Sequence, residues 1–142
     1  MKTPKYFDLE EFLTSSTARQ KSIENMPSWE IVENLCELGC WLDQLREDWG
    51  SGIKITSGYR NDKLNTAVGG VLNSVHRRGF AADIYPANGK YDEFVKFIKE
   101  WAKDKKFDQI IEERSGKNSR WVHCGLYNNQ GRQRHMIFEI TK

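Results

Sequence analysis

The chain has 142 residues, a length typical of one domain, with 38% hydrophobic and 30% charged residues. Its 5 Trp, 5 Tyr and 7 Phe are enough to form a substantial core, which excludes a disordered chain. The formal net charge of +2 is far from the strongly basic balance of a nucleic-acid-binding protein. We therefore expect a single domain over residues 1–142 and no nucleic-acid partner.

The composition and the N-terminal sequence also indicate the cellular compartment in which the protein is made. No segment has the run of about 20 apolar residues that a membrane helix needs. Acidic residues at positions 8 and 10 interrupt the N-terminus, which therefore lacks the apolar stretch of a secretory signal. The odd number of cysteines (Cys36, Cys40 and Cys124) favours reduced thiols over a disulfide framework. We expect synthesis in the cytoplasm without a signal peptide, and no membrane partner.

The first third of the chain has the periodicity of helices. Asp8 precedes a short predicted helix that begins at Leu9. Apolar residues then recur at spacings of three and four, which predicts a long helix from Ser28 to Trp49. Ser28 is the expected N-cap, and Gly50 ends the helix.

The remaining chain is predicted to be mainly strands. Residues 58–79 are rich in Asn and Gly, and we expect an irregular segment of the kind that is functional in a small domain. The other predicted elements are strands at Ile53–Ser57, Phe80–Tyr85, Phe107–Glu113, Arg120–Leu126 and Met136–Ile140, and a helix at Tyr91–Lys103. Because helices come first and hairpin-linked strands follow, the expected class is α+β with a mostly antiparallel central sheet flanked by helices.

Three polar residues stand out among apolar neighbours. Asp83 lies in the middle of a buried strand, where a carboxylate is costly unless it is paired or bound to a metal. His76 precedes it in the loop, and His123 lies in a later strand. Two imidazoles and one carboxylate are a ligand set for catalytic zinc, which keeps its fourth position open for water. Two alternatives remain: a core histidine at 123, and an ion pair between Asp83 and a nearby arginine at position 60, 77 or 78.

Five short motifs occur in order with regular gaps. They are SGYR at Ser57–Arg60, N-x3-GG at Asn65–Gly70, S-x-H-x2-G-x-AADI at Ser74–Ile84, FDQII at Phe107–Ile111 and WVH at Trp121–His123. Together they resemble the zinc D-Ala-D-Ala carboxypeptidase and murein endopeptidase family of peptidoglycan peptidases. The resemblance implies the small α+β fold shared by Hedgehog and D-Ala-D-Ala peptidases.

The resemblance also implies roles for individual residues. His76, Asp83 and His123 match the family's zinc ligands. Arg60 matches the family's motif arginine and would hold a substrate carbonyl or carboxylate and stabilise the oxyanion, a role that suits its fixed charge and fork of donors. Two further residues beside the motifs have alternative interpretations from the sequence. Ser74 either hydrogen-bonds substrate or caps the loop. Trp121 either fills the core with one exposed edge, which we favour, or forms a wall of the substrate cleft.

The general base is where the sequence departs from many relatives. They have a glutamate three residues before the last histidine, whereas this chain has Arg120, which cannot act as a base. Other relatives have an acidic residue at the end of the FDQ-I strand, which matches Glu113, with Glu112 beside it. Strand alternation allows only one of the two glutamates to share the face of His123, and the motif position favours Glu113. His135 is a further base candidate without motif support.

The implied activity is zinc-dependent hydrolysis of peptidoglycan stem peptides by a monomeric enzyme. The bond that is cut would be the D-Ala-D-Ala bond, a cross-link or the L-Ala-D-Glu bond. Small size and the lack of a signal peptide fit a phage or prophage endolysin that acts on the bacterial cell wall after phage-mediated release. The alternative is a zinc-containing binding module or phage structural protein with a vestigial peptidase fold, in which Arg120 marks the lost base.

Overall fold

A computed structural model describes all 142 residues. The helices are α1 (Leu9–Leu13), α2 (Ser16–Gln20), α3 (Trp29–Trp49), α4 (Asp62–Ala67) and α5 (Tyr91–Trp101). The strands are β1 (Ile53–Ser57), β2 (Ala81–Pro86), β3 (Gln109–Ser115), β4 (Ser119–Gly125) and β5 (Met136–Thr141). Two short 3-10 helices span Val75–Arg78 and Ala102–Asp104. None of the helices combines the length and the apolar character needed to cross a membrane.

The long helix follows its local signals. The Ser28 hydroxyl accepts a hydrogen bond from the Ile31 amide at 3.3 Å, and Gly50 ends α3 in the left-handed region with φ 76°. The expected Ser28 cap and Gly50 stop are both confirmed. The α2 helix was not among the predicted elements. It begins behind Ser15, whose hydroxyl accepts a hydrogen bond from the Ala18 amide.

The expectation of an irregular segment at residues 58–79 was wrong in part. The segment contains α4 and the 3-10 helix at Val75–Arg78. Asn61 caps α4 by accepting a hydrogen bond from the Leu64 amide at 2.8 Å, and Ser74 caps the 3-10 helix in the same way through the His76 amide. Asn61, which we expected in a turn, therefore begins a short helix, because a side chain that favours a turn can also cap a helix.

The five strands form one sheet in the order β1-β2-β4-β3-β5. All neighbouring pairs are antiparallel except β3 and β5, which are parallel. The predicted α+β class with a mostly antiparallel sheet is confirmed. Predicted strand ends shift by two residues or fewer, and the helix predicted to Lys103 ends at Trp101, where its last turn tightens into a 3-10 helix.

The sheet has two different faces. Alternate residues of the central strands, such as Ile84, Val122 and Ile110, belong to the hydrophobic core. Leucines of α3 and the apolar side of α5 complete this core; they are Leu35, Leu38, Leu42, Leu45, Phe94, Val95 and Ile98. Because strand side chains alternate, Asp83 and His123 point away from these helices. The polar residues of interest therefore share the face that α3 and α5 leave uncovered.

Candidate metal centre

Asp83 of β2 and His123 of β4 lie directly opposite each other in the sheet. Opposed residues on antiparallel strands share one face and have closely spaced side chains. His123 Nδ1 lies 3.1 Å from Asp83 Oδ1, and each side chain is only 14% exposed. The neighbours of Asp83 (Ala82 and Ile84) and of His123 (Val122 and Cys124) are all in the core, which holds both strands in register.

His76 reaches the same carboxylate from outside the sheet. It lies in the 3-10 helix before β2, is 3% exposed, and places Nε2 3.4 Å from Asp83 Oδ1. Its Nδ1 lies 2.7 Å from the Gly58 carbonyl oxygen. A carbonyl only accepts hydrogen bonds, so Nδ1 carries the proton of the neutral ring and Nε2 carries the lone pair. The Gly58 carbonyl therefore turns the ligating nitrogen of His76 toward Asp83.

The three side chains fit a zinc ion. One ligand atom from each of His76, Asp83 and His123 lies within 4.8 Å of the others. Two imidazole nitrogens and a carboxylate oxygen match the three-ligand sets of catalytic zinc. A lone pair on His76 Nε2 that faces a carboxylate oxygen is repulsive by itself, and a cation between the two atoms removes that repulsion.

The protonation states also suit a metal. Burial lowers the pKa of His76, which favours the neutral imidazole that ligates metals. Burial works against the charged form of Asp83, but the charge that the two histidines carry when protonated and the hydrogen bond from His123 Nδ1 outweigh it and hold the pKa of this carboxyl below its usual range. Asp83 is therefore a carboxylate, and His76 has a free lone pair at neutral pH.

Comparison with known proteins identifies the chain at this point. The family model of peptidase M15 matches residues 5–125, which include all three of these side chains. The chain belongs to the peptidase M15 family. No curated protein matches it. M15 peptidases are zinc-dependent, and this M15 peptidase brings together a ligand set that suits that metal.

Arg60 and Ser74 form a linked pair beside the metal ligands. Arg60 Nη2 donates to Ser74 Oγ at 3.2 Å, and the same oxygen accepts the His76 amide at 3.2 Å. Burial lowers the pKa of Arg60, while the charges of Asp83 and Glu113 oppose that shift. Arg60 Nε is buried without a hydrogen-bond partner. The M15 peptidase thus keeps one guanidinium donor unused beside two carboxylates.

The two adjacent glutamates point to opposite faces of the sheet. In the β3–β4 ladder Ile111 pairs with His123 and Glu113 pairs with Trp121, so Glu113 shares the face of His123. The Glu113 side chain is buried, and its carboxylate accepts a hydrogen bond from Trp121 Nε1. Glu112 lies on the other face and forms an ion pair with Lys99 of α5 at 3.0 Å.

Trp121 lies on the face of the metal ligands and is half-buried. It is not part of the hydrophobic core, so the favoured interpretation, that it packs in the core with one exposed edge, was wrong. The physical reason is strand alternation, since a residue two positions from His123 takes the side of His123 and not the side of the core.

Arg120 lies on the face opposite to the metal ligands. Its guanidinium bonds Asp92 of α5 at 3.0 Å and lies 4.6 Å from the ring centre of Tyr91. In a regular strand the residue three positions before His123 points away from it. Arg120 therefore does not occupy the place of a base in this M15 peptidase.

Two other sequence candidates lie outside the cluster. Cys124 is buried in the core on the helix side of the sheet, as strand alternation predicts for a neighbour of His123. His135 donates from Nε2 to the Ala102 carbonyl oxygen at 2.9 Å and lies against the Phe107 ring. The hydrogen bond ties His135 to the 3-10 helix that follows α5.

Sequence reasoning missed the contribution of Gly58. An added β-carbon at this position would lie 2.4 Å from the carbonyl oxygen of Phe12 in α1. Glycine therefore allows α1 to approach, while its own carbonyl accepts the His76 bond. The SGYR motif contained this glycine, but a sequence does not tell which backbone a glycine approaches.

Proposed function

We propose that this M15 peptidase is a zinc-dependent enzyme that hydrolyses peptide bonds in the stem peptides of peptidoglycan. The observation that carries the proposal is the convergence of His76, Asp83 and His123 on the uncovered face of the sheet. Glu113 and Arg60 supplement it, because a carboxylate and a guanidinium near the ligands are the groups that peptide hydrolysis requires beside a metal.

In this proposal His76, Asp83 and His123 hold the metal. A bound zinc ion supplies Lewis acidity, which polarises the scissile carbonyl and lowers the pKa of water toward about 7. Glu113 accepts the proton of the attacking water and returns it to the leaving amine. Arg60 donates to the oxyanion that develops on the carbonyl oxygen, and Ser74 orients the Arg60 guanidinium. Trp121 borders the substrate.

Arg60 is also relevant to whether the enzyme cuts a terminal or an internal peptide bond. Its guanidinium is only partly buried and can donate to a substrate carboxylate, which a D-Ala-D-Ala carboxypeptidase must recognise at the end of its substrate. An endopeptidase would use the same donor on an internal carbonyl. We include both specificities in the proposal, together with a role as an endolysin that reaches the cell wall after phage-mediated release.

Digestion of purified peptidoglycan tests this function. The protein is incubated with peptidoglycan and zinc, with and without a chelator, and the released fragments are measured by mass spectrometry. We expect release that the chelator abolishes, and the fragment masses name the bond that is cut. His123→Ala is expected to release nothing, because two ligands do not retain zinc.

The matched control is His135→Ala, since His135 is not one of the clustered ligands. Release by His123→Ala at the wild-type rate would overturn the proposed zinc site. The absence of release by a zinc-bound wild type would instead indicate a binding or structural module with a vestigial peptidase fold.

A further inference from the structure

The candidate base Glu113 is a buried carboxylate with a specific set of partners. Only 6% of the residue is exposed. A buried carboxylate is costly unless hydrogen bonds or charges compensate for lost water. Trp121 lies directly opposite Glu113 in the β3–β4 ladder, and its Nε1–H donates to Glu113 Oε2. Because the indole nitrogen can only donate a hydrogen bond, Trp121 is the donor and the Glu113 carboxylate is the acceptor.

The second oxygen of Glu113 has a different neighbour. Lys142 Nζ lies 3.5 Å from Oε1 and 5.7 Å from the centre of the Trp121 ring. The Lys142 backbone amide donates to the Arg114 carbonyl oxygen at 2.8 Å, which holds the residue beside β3. The ammonium of Lys142 is 56% accessible in its side chain, so water screens its charge more than it screens the indole bond.

Trp121 is itself held in place. The hydroxyl of Tyr91, a residue that is 2% exposed, donates to the Trp121 carbonyl oxygen at 2.9 Å. This bond links β4 to the first turn of α5 through a fully buried side chain. The bond from Tyr91 thus fixes the backbone of Trp121. From that backbone the indole N–H of Trp121 points at Glu113.

We propose that Trp121 is a positioning residue that orients the carboxylate of Glu113 for proton transfer. The proposal rests on the proposed function, because it assigns Trp121 a role through Glu113. The terminal torsion of a glutamate is broad, and a hydrogen bond to one oxygen selects one orientation of the carboxylate. With Oε2 bonded to the indole, Oε1 is the oxygen that accepts a proton from water, through the lone pair that its contact with Lys142 leaves available.

Kinetics of Trp121→Phe test this role. Phenylalanine keeps an aromatic ring at the position but removes the N–H. We expect kcat on a peptidoglycan peptide to fall about tenfold, since that factor corresponds to the loss of one hydrogen bond to a charged group. KM is expected to stay unchanged. In the background of Glu113→Gln, the same change is expected to cost nothing further, because its partner is no longer the base.

Trp101→Phe is the matched control. Trp101 also donates its indole N–H to a carboxylate, that of Asp48, but outside the metal face. We expect this variant to keep the wild-type kcat. A rise in KM without a fall in kcat for Trp121→Phe would overturn the inference and identify Trp121 as a substrate contact only. The inference would also be overturned if Trp121→Phe lowered kcat by the same factor in the wild type and in the Glu113→Gln background.

An NMR measurement keeps the inference separate from the proposed function. The Trp121 indole signal is identified as the one missing from Trp121→Phe, and its position is compared in wild type and Glu113→Gln. We expect an upfield shift in Glu113→Gln, because a neutral amide is a weaker acceptor than a carboxylate. An unmoved signal overturns the inference. A wild type without peptidase activity overturns the proposed function, even when the indole signal moves.

Discussion

Asp83 is a charged residue in a strand whose neighbours are all apolar, and its contacts explain why the strand tolerates it. His76 Nε2 and His123 Nδ1 both lie close to the same carboxylate oxygen, Asp83 Oδ1, at 3.4 and 3.1 Å. The alternative that an arginine neutralises Asp83 was wrong for Arg77 and Arg78. Arg77 is paired with Asp62, and Arg78 donates to the Asn128 carbonyl oxygen.

The adjacent residues Glu112 and Glu113 allow a matched test of which glutamate is the general base. Glu113→Gln removes the proton acceptor while keeping the shape and the hydrogen bond from Trp121. We expect peptidase activity to fall by about 10²–10⁴-fold, the usual contribution of a general base. Zinc affinity is expected to stay the same, because Glu113 is not one of the clustered ligands. Activity is measured on peptidoglycan fragments and zinc affinity by calorimetric titration.

Glu112→Gln is the control for that substitution. It makes the same chemical change one residue away, on the face that bonds Lys99. We expect it to keep most of the activity and to weaken only the ion pairs of Glu112 with Lys99 of α5 and with Arg114. A larger loss in Glu112→Gln than in Glu113→Gln would contradict the assignment of the base.

At the scale of the strand, alternation decides what Arg120 means. Position 120 of β4 faces α5, where the arginine pairs with Asp92. We therefore expect Arg120→Glu, which restores the glutamate found in many relatives, to leave peptidase activity no higher than that of the wild type. Stability is expected to fall, because two carboxylates would then face each other across α5 and β4.

The control for this change is Arg120→Gln, which removes the charge without adding a carboxylate. It is expected to be more stable than Arg120→Glu in urea denaturation. A gain in activity in Arg120→Glu would show that position 120 reaches the metal face in solution.

The approach of α1 to the end of β1 is a second feature at this scale. Gly58→Ala would place a methyl group 2.4 Å from the Phe12 carbonyl oxygen, and α1 or residue 58 must move. We expect a loss of about 1–3 kcal/mol in the free energy of unfolding, as for other overpacked sites. Zinc affinity is also expected to fall, because the Gly58 carbonyl orients His76.

Gly125→Ala is the matched control on the same face of the sheet. Its added β-carbon would come no closer than 3.5 Å to any neighbour, which is an ordinary contact, and that neighbour is Nε2 of the ligand His123. We therefore use this variant as a control for stability alone, and expect little change in the free energy of unfolding. An equal loss of stability in the two variants on denaturation would remove the special role of residue 58.

At the scale of the whole molecule, the metal ligands link separate parts of the chain. His76 lies before β2, Asp83 within it and His123 in β4, so bound zinc connects the 3-10 helix to two strands. A ligand that binds only the folded state stabilises it, by about 4 kcal/mol at a thousand times its Kd. We expect zinc to raise Tm by several degrees and a chelator to reverse the rise.

Histidine variants provide the control for zinc stabilisation. His135→Ala is expected to keep the zinc-induced rise in Tm, whereas His123→Ala is expected to lose it. Differential scanning calorimetry with and without zinc measures both. A rise of the same size in the two variants would place the stabilising zinc somewhere other than the cluster.

Much of this protein could be predicted from local sequence. The Ser28 cap and the Gly50 stop define α3, because capping depends on residues only a few positions apart. The alternation in residues 53–57 and the short apolar run in residues 80–85 predict strands, and the order of the elements predicts the α+β class. The polar residues among apolar strand residues and the five ordered motifs indicated His76, Asp83 and His123. A polar residue with apolar neighbours in a predicted strand can be recognised from the sequence alone.

Only the tertiary structure decided what depends on strand register and backbone approach. Pairing of Ile111 with His123 puts Glu113 on the metal face and Glu112 against Lys99, and a slip of one residue would exchange them. The sequence had left that choice open. Likewise, the bond from His76 to the Gly58 carbonyl joins residues 18 positions apart through a loop. Such contacts depend on how the whole chain packs, and no local pattern encodes them.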